Sequence, residues 1–318
     1  MYQNKFTLLP ANGFVWNQKE FLEFLVANQG KKISICTQGE GLCLESAGVY
    51  QMLQALGYDD VVIITNNALE QHPDFIIQID RPQKFFELFY LNYQQYQYWN
   101  KNKVFGCLYN RALWHRIGLA AEMQVSHNDV SLINFRSDPH DPDQQQLFEI
   151  QQLFEQAPQS LEKFCQVREH WPVQIESTDS YTAHNDTNGH TDQLADFYPE
   201  FLIDLVAETW IQGRCFFPTE KTIRPMLLKK PMIVMGSRNY LTYLRQMGFQ
   251  TFNEFWDEDY DGYADGNRYA KILDLIKQLC SVPIEQLHDM YQKMQPILDH
   301  NYNLLTSGTY KKEISYIA

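Results

Sequence analysis

The stretch KISICTQGEGLCLESAGVYQMLQALGYDDVVIITNN, residues 32–67, decides the fold. KISICTQ and VVIITNN are short apolar runs rich in β-branched residues and read as strands. Between them Leu44, Val49, Met52, Leu53 and Leu56 recur on one face at helical spacing. Gly57 stands where such a helix stops. Strand, helix and strand in this order make a βαβ unit with parallel strands. FIIQID (75–80) supplies a third strand. An aromatic-rich helix follows from about Pro82 to Trp99, carrying Phe85, Phe89, Tyr93 and Tyr96.

Beyond the polar break NKNK (100–103) the alternation resumes. KVFGCLY reads as a strand, RALWHRIGLAAEMQ as a helix and DVSLINF (129–135) as a strand. The acidic, proline-bearing RSDPHDPD leads to a helical region at about 143–168. ESTDSYTAHNDTNGHTD (176–192) has almost no apolar content and reads as a long loop or lid. Strand FLIDLVAE (201–208), a helix from about Glu220 to Lys229 and strand PMIVMG (231–236) come next. The helix LTYLRQMGF and two helices at about 267–280 and 284–304 complete the series. The expected class is α/β, with two Rossmann-like domains, 1–102 and 103–282, and a helical tail over 283–318.

Composition bounds the function. The 318 residues are 44% hydrophobic and 20% charged, enough apolar content to bury a core and exclude wholesale disorder. The aromatic share (20 Phe, 19 Tyr, 6 Trp) serves a core or lines a site for ring-shaped ligands. With 26 Lys plus Arg against 39 Asp plus Glu, the formal net charge of −13 excludes a whole-surface grip on nucleic acid or anionic membrane. Six cysteines at 36, 43, 107, 165, 215 and 280 form no C-x-x-C, so zinc spacing and a disulfide scaffold are not indicated. The opening MYQNKFTLLPANGF lacks the basic-then-apolar pattern of a secretory signal, and no run of 18 apolar residues occurs. The expectation is a cytoplasmic protein with reduced thiols.

The chemistry concentrates in FLIDLVAETW and IQGRCFFPTEKTIRPMLLKKPMIVMG (201–236). One strand ends in Glu208-Thr209, a loop leads to Thr219-Glu220-Lys221 opening a helix, and the next strand ends in Gly236. Carboxyl ends of parallel strands and adjacent helix N-termini form the ligand crevice of an open α/β sheet. A helix N-terminus offers free N–H groups and positive potential suited to phosphate. Lys221 and Arg224 in that first turn oppose the usual preference for acids there, which suits a bound anion. Glu220 has the chemistry to accept the two hydroxyls of a ribose. The alternative is an ordinary Thr N-cap with Glu and Lys on a solvated face.

F-x-L-x-x-E-[NT], about ten residues, T-E-K, then P-[VI]-V-x-G resembles the nucleotide-sugar-binding motif of the α-1,3-fucosyltransferases. FLIDLVAET, TEK and PMIVMG are similar to it, and VFGCLYNRALWHRIGLAAEM is similar to the half-motif before it. MGFQTFNEFWDEDYDG is similar to a signature of bacterial and viral glycosyltransferase-like proteins that also carry TEKT-x-R-P. The resemblance spans roughly residues 103–270. It implies a GT-B fold: two Rossmann-like domains facing a cleft, nucleotide sugar in the second, acceptor in the first, no catalytic metal and no further cofactor. It places Lys221 on the donor pyrophosphate, Glu220 on the ribose, Thr219 at the helix start and Glu208 near the base or sugar. Arg116 or Arg111 gives the second phosphate contact. Thr209 stands where the fucosyltransferases carry Asn, which leaves the donor open between a GDP- and a UDP-sugar.

An inverting transfer needs a general base, which the first domain supplies in GT-B enzymes. The loop TQGEGLCLE offers Glu40 or Glu45, with Gly39 and Gly41 permitting close approach of a ligand or simply making a tight turn. Asp141 with Asp143, and the run Asp257 to Asp261, are either solvated acidic loops or Asp-x-Asp metal sites. His184, Asp186 and His190 share one polar loop. His115 beside Arg116 either reaches phosphate or packs. Tyr93 and Trp99 either stack on a sugar or base or serve helix packing. Two rivals stand beside a glycosyltransferase: a viral-type enzyme acting on modified DNA bases, and a non-catalytic nucleotide-binding protein. The DNA reading requires Lys221, Arg224, Lys229, Lys230, Arg238 and Arg245 to line one groove.

Overall fold

The computed structural model describes residues 4–8, 16–37, 41–79, 99–100, 103–135, 144–173, 175, 194–311 and 314–317. They form an α/β, Rossmann-like structure of two parallel sheets flanked by helices. The first sheet holds β1 (Asn4–Thr7), β2 (Ile33–Cys36), β3 (Val61–Thr65) and β4 (Ile76–Ile79), in that spatial order and all parallel. α1 (Gln18–Ala27) and α2 (Val49–Ala55) connect the first three strands. The 32–67 unit is the expected βαβ. α2 ends at Ala55, and Gly57 follows in the left-handed region at φ 73°, as a helix stop requires. β1 and α1 have no counterpart in the sequence reading.

The second sheet holds β5 (Lys103–Tyr109), β6 (Ser131–Phe135), β7 (Phe201–Ala207) and β8 (Met232–Met235). Its spatial order is β6-β5-β7-β8, again all parallel. β7 and β8 are buried at every residue, as expected of strands covered on both faces. The Phe201 ring of β7 lies over Gly106 of β5, where an added Cβ would fall 2.6 Å from it. α3 (Trp114–Ser126) follows β5, and α4 (Gln144–Gln156) and α5 (Pro158–Val167) follow β6. α6 (Glu220–Leu227) joins β7 to β8, and α7 (Tyr240–Met247) and α8 (Asp265–Cys280) come after. The expected tail is α9 (Ile284–Ser307), whose Leu287, Tyr291, Met294 and Leu298 join the hydrophobic cluster of the second sheet.

The loop between β7 and α6 joins the two sheets. Its Trp210, Cys215 and Phe217 belong to the first sheet's hydrophobic cluster. Asn67 fastens it, accepting from Phe216 N at 3.0 Å and donating to Arg214 O at 2.9 Å. All six cysteines are free thiols. Among the described residues no helix is long and apolar enough to cross a membrane.

Candidate functional site

In the second sheet the chain passes from β5 outward to β6, then back across β5 to β7. The order therefore reverses between β5 and β7. At such a switch point the two connections leave in opposite directions and open a crevice beyond the strands' carboxyl ends. The residues placed at these carboxyl ends come from the β5–α3 turn, the end of β7 and the start of α6.

The start of α6 is tightly specified. Thr219 is its N-cap, in extended conformation, with Oγ1 accepting from Lys221 N at 3.3 Å. Glu208, fully buried, lies beneath. It accepts from Thr219 N (3.0 Å), Thr219 Oγ1 (2.6 Å), Thr222 Oγ1 (2.6 Å) and Tyr240 OH (3.0 Å). A carboxylate with four donors at a helix N-terminus fixes that terminus by charge-assisted bonds and by the helix dipole. Glu208 thus holds the turn from inside.

Glu220 and Lys221 form an ion pair at the surface of this turn, their side chains 33% and 18% exposed. Lys221 Nζ also reaches Thr219 Oγ1 at 3.2 Å. Burial alone would push the Glu220 carboxyl up; the Lys221 ammonium, its hydrogen bond and Arg224 overcome this and hold it at about 2. Glu220 is therefore an anion throughout the neutral range and acts as a hydrogen-bond acceptor.

α3 brings its cations to the end of β7. Arg116 is buried, Nε donating to Ala207 O at 3.0 Å and Nη2 to Thr209 Oγ1 at 3.1 Å. Burial pushes its guanidinium down to about 10, opposed by Glu220 and Glu208 and aided by Arg111. It remains charged at neutral pH, so positive potential lies directly under the crevice. Arg111 is exposed at the β5–α3 turn. His115 Nε2 donates to Glu208 O at 2.8 Å. Burial and the neighbouring Arg116 push its imidazole well below the ordinary histidine value, so the ring is neutral. Nδ1 is then a bare acceptor, buried and without a partner among the described residues.

Seven of the nine residues singled out from sequence belong to this half, and six of them converge: Arg111, Arg116, Glu208, Thr219, Glu220 and Lys221. Arg224 is buried behind them, its Nε donating to Tyr198 OH at 2.7 Å, and Tyr198 in turn bonds Asp204. Tyr198 and Asp204 hold its guanidinium above the ordinary value against burial, while burial raises Asp204 to about 6 despite Arg224. Glu45 lines a separate cavity, and Glu40 lies outside the described residues. The space beside Gly41 is filled by Phe217 of the same chain.

The cations required for a nucleic-acid groove are dispersed. Lys229 pairs with Asp299 and Arg245 with Glu258, Lys230 donates to Phe201 O, and Arg238 donates to Gly262 O. In the run Asp257 to Asp261, Asp261 caps α7 by accepting from Leu241 N and Thr242 N, and Glu258 accepts from Phe252 N. Among the described residues no cluster of three or more His, Cys, Asp or Glu could hold a metal. Asp141, Asp143, His184, Asp186, His190 and Tyr93 lie outside the described residues, and Trp99 packs, its Nε1 donating to Lys103 O.

Two features escaped the sequence reading. Tyr240, 32 residues from Glu208, completes its shell. Glu149 caps α3 from another helix, accepting from Trp114 N at 2.9 Å, and burial raises its carboxyl to about 7. Thr219 and Thr222, one helical turn apart, signalled a helix start but not Tyr240, and nothing local marked either Tyr240 or Glu149. No known family model matches the chain, and no curated protein is significantly similar to it.

Proposed function

We propose that the protein is a glycosyltransferase that moves a sugar from a nucleoside-diphosphate sugar to an acceptor, inverting and independent of metal. The observation that carries this reading is the switch point between β5 and β7, with the capped start of α6 and Lys221 beside it. Lys221 at the positive end of the α6 dipole and exposed Arg111 suit the two phosphates of a GDP- or UDP-sugar, although the N–H groups of Thr219, Lys221 and Thr222 are already engaged within the turn. Arg116, with Nε and Nη2 already engaged, contributes its field from beneath. As the glycosidic bond breaks, negative charge grows on the diphosphate, and these fixed cations stabilise it more than the intact donor. Ionised Glu220 is suited to receive the ribose hydroxyls. In this reading the two sheets are the halves of a GT-B arrangement, donor on the second and acceptor on the first, with Glu45 the described candidate for the base.

Hydrolysis or transfer assays with GDP- and UDP-sugars test it. Release of nucleoside diphosphate by wild-type protein, lost on Lys221→Ala, is the expected result. Turnover unchanged by Lys221→Ala would refute this assignment of the site.

A further inference from the structure

A cavity of about 590 Å³ opens between α2, the loop before it and the β3–β4 connection. That is within the range of about 300–1,000 Å³ usual for small-molecule sites. Its wall carries Glu45, Gln51, Gln54, Gln71, His72 and Arg214; the remaining wall is Pro73 and the ring of Tyr50. Among the described residues no Leu, Ile, Val or Met side chain lines it, so the wall is predominantly polar.

The wall is built rather than incidental. Tyr50 and His72 rings lie 4.3 Å apart, and His72 and Phe75 stack at 4.6 Å, a column that fixes one face. Tyr50 OH donates to buried Glu70 at 2.6 Å, and Glu70 also accepts from Leu44 N and Asn67 Nδ2. Arg214 arrives from the loop after β7. Its guanidinium donates from Nη2 to Gln71 O at 2.9 Å and lies 5.2 Å over the Tyr316 ring. Arg214 Nε is buried with no partner among the described residues.

One guanidinium beside one carboxylate, with Glu70 behind, does not suit a free phosphate, whose charges would meet both acids. Gln54 Nε2 donates to Asp74 and His72 Nδ1 accepts from Asp74 N, while the Gln51 and Gln71 carboxamides and Gln54 Oε1 offer donors and acceptors along the wall. A hydroxyl group, itself donor and acceptor, is the complement of that wall. We propose that this cavity binds a saccharide, with Gln51, Gln54 and Gln71 on its hydroxyls and Arg214 completing the pocket from the other sheet's loop. The binding claim stands alone; that the saccharide is the transferase acceptor, with Glu45 beside the reacting hydroxyl, rests on the proposed function.

Saturation-transfer NMR with glucose, galactose, N-acetylglucosamine and lactose tests the cavity. Gln51 and Gln54 are exposed on α2, so Gln51→Ala/Gln54→Ala leaves the fold intact, which circular dichroism verifies. At least one saccharide is expected to receive saturation from wild-type protein, falling several-fold in the double variant and in Arg214→Met. No transfer to any of the four, or equal transfer in the double variant, would overturn the proposal. Titration with GDP and UDP in parallel separates the two readings. Saccharide transfer without nucleotide binding upholds the cavity and removes its role as an acceptor site. Nucleotide binding without saccharide transfer overturns the cavity and leaves the crevice standing.

Discussion

The two sheets share strand number and parallel direction and differ in order. The described strands of the first run β1-β2-β3-β4 without a reversal; the second runs β6-β5-β7-β8 and reverses at β5/β7. The charged interior follows the same division. Among described residues 4–79, Glu70 is the one fully buried Asp, Glu, Lys, Arg or His. The second sheet and its helices bury Arg116, Asp204, Glu208, Arg224 and Lys230, among others. A reversal marks the strand ends where open α/β sheets take their ligands, and the helix start beside it must be pinned. Buried charge beneath the floor does this. The first sheet forms its cavity beside α2 instead, from exposed amides.

Removing a buried charge partner should therefore cost most in the second sheet. Arg224→Met leaves Asp204 and Tyr198 buried without their cation and should cost about 3–5 kcal/mol in urea unfolding. A loss below about 1 kcal/mol would mean that Arg224 does not hold the interior. Next come the two strand-end carboxylates. Glu208→Gln turns an amide against Thr219 Oγ1, which already accepts from Lys221, and should cost about 2–3 kcal/mol. Glu70→Gln meets Tyr50 OH, a hydroxyl free to rotate and accept, and should cost about 1 kcal/mol. Equal losses at the two positions would break the comparison.

Lys230 gives the comparison a pH dependence. Burial pushes its ammonium down to about 7, with Glu200 opposing. Between pH 7 and the ordinary lysine value the unfolded chain binds the proton and the folded chain does not. Stability from this residue is then complete above the unfolded value and is lost as pH falls to about 7. Wild-type stability relative to Lys230→Met should rise by up to about 1.4 kcal/mol per pH unit between pH 7 and 9. A flat difference across that range would show that the ammonium stays charged inside. The smallest effect on stability belongs to the crevice mouth: Lys221→Ala should change unfolding by less than about 0.5 kcal/mol.

The buried strands were legible because KVFGCLY, FLIDLVA and MIVM are nearly continuous apolar runs, which few other structures accommodate. β1, reading NKFT, was not, because a four-residue edge strand carries too few residues to display a period; α1 does carry Phe21, Phe24 and Leu25 at helical spacing, a local signal that the sequence reading does not use. Strand order was illegible for a different reason: pairing of β5 with β7 joins residues about a hundred positions apart, and no local pattern encodes it. Thr219, Glu220 and Lys221 were found from local helix-start chemistry. The inward roles of Glu208 and Arg224 depend on Tyr240 and Tyr198, each more than 20 residues distant. Sequence spacing placed these two side chains near the site but left open which way they face.

The central claim is that the crevice at β5/β7 holds a nucleoside diphosphate against Lys221. Calorimetric titration of GDP and UDP into wild-type protein and Lys221→Ala measures it directly. One of the two nucleotides should bind wild-type protein, and the variant, equally folded, should bind it at least about tenfold more weakly, a loss of about 1.4 kcal/mol. Equal affinity in both proteins, or no binding of either nucleotide to wild type, would contradict it.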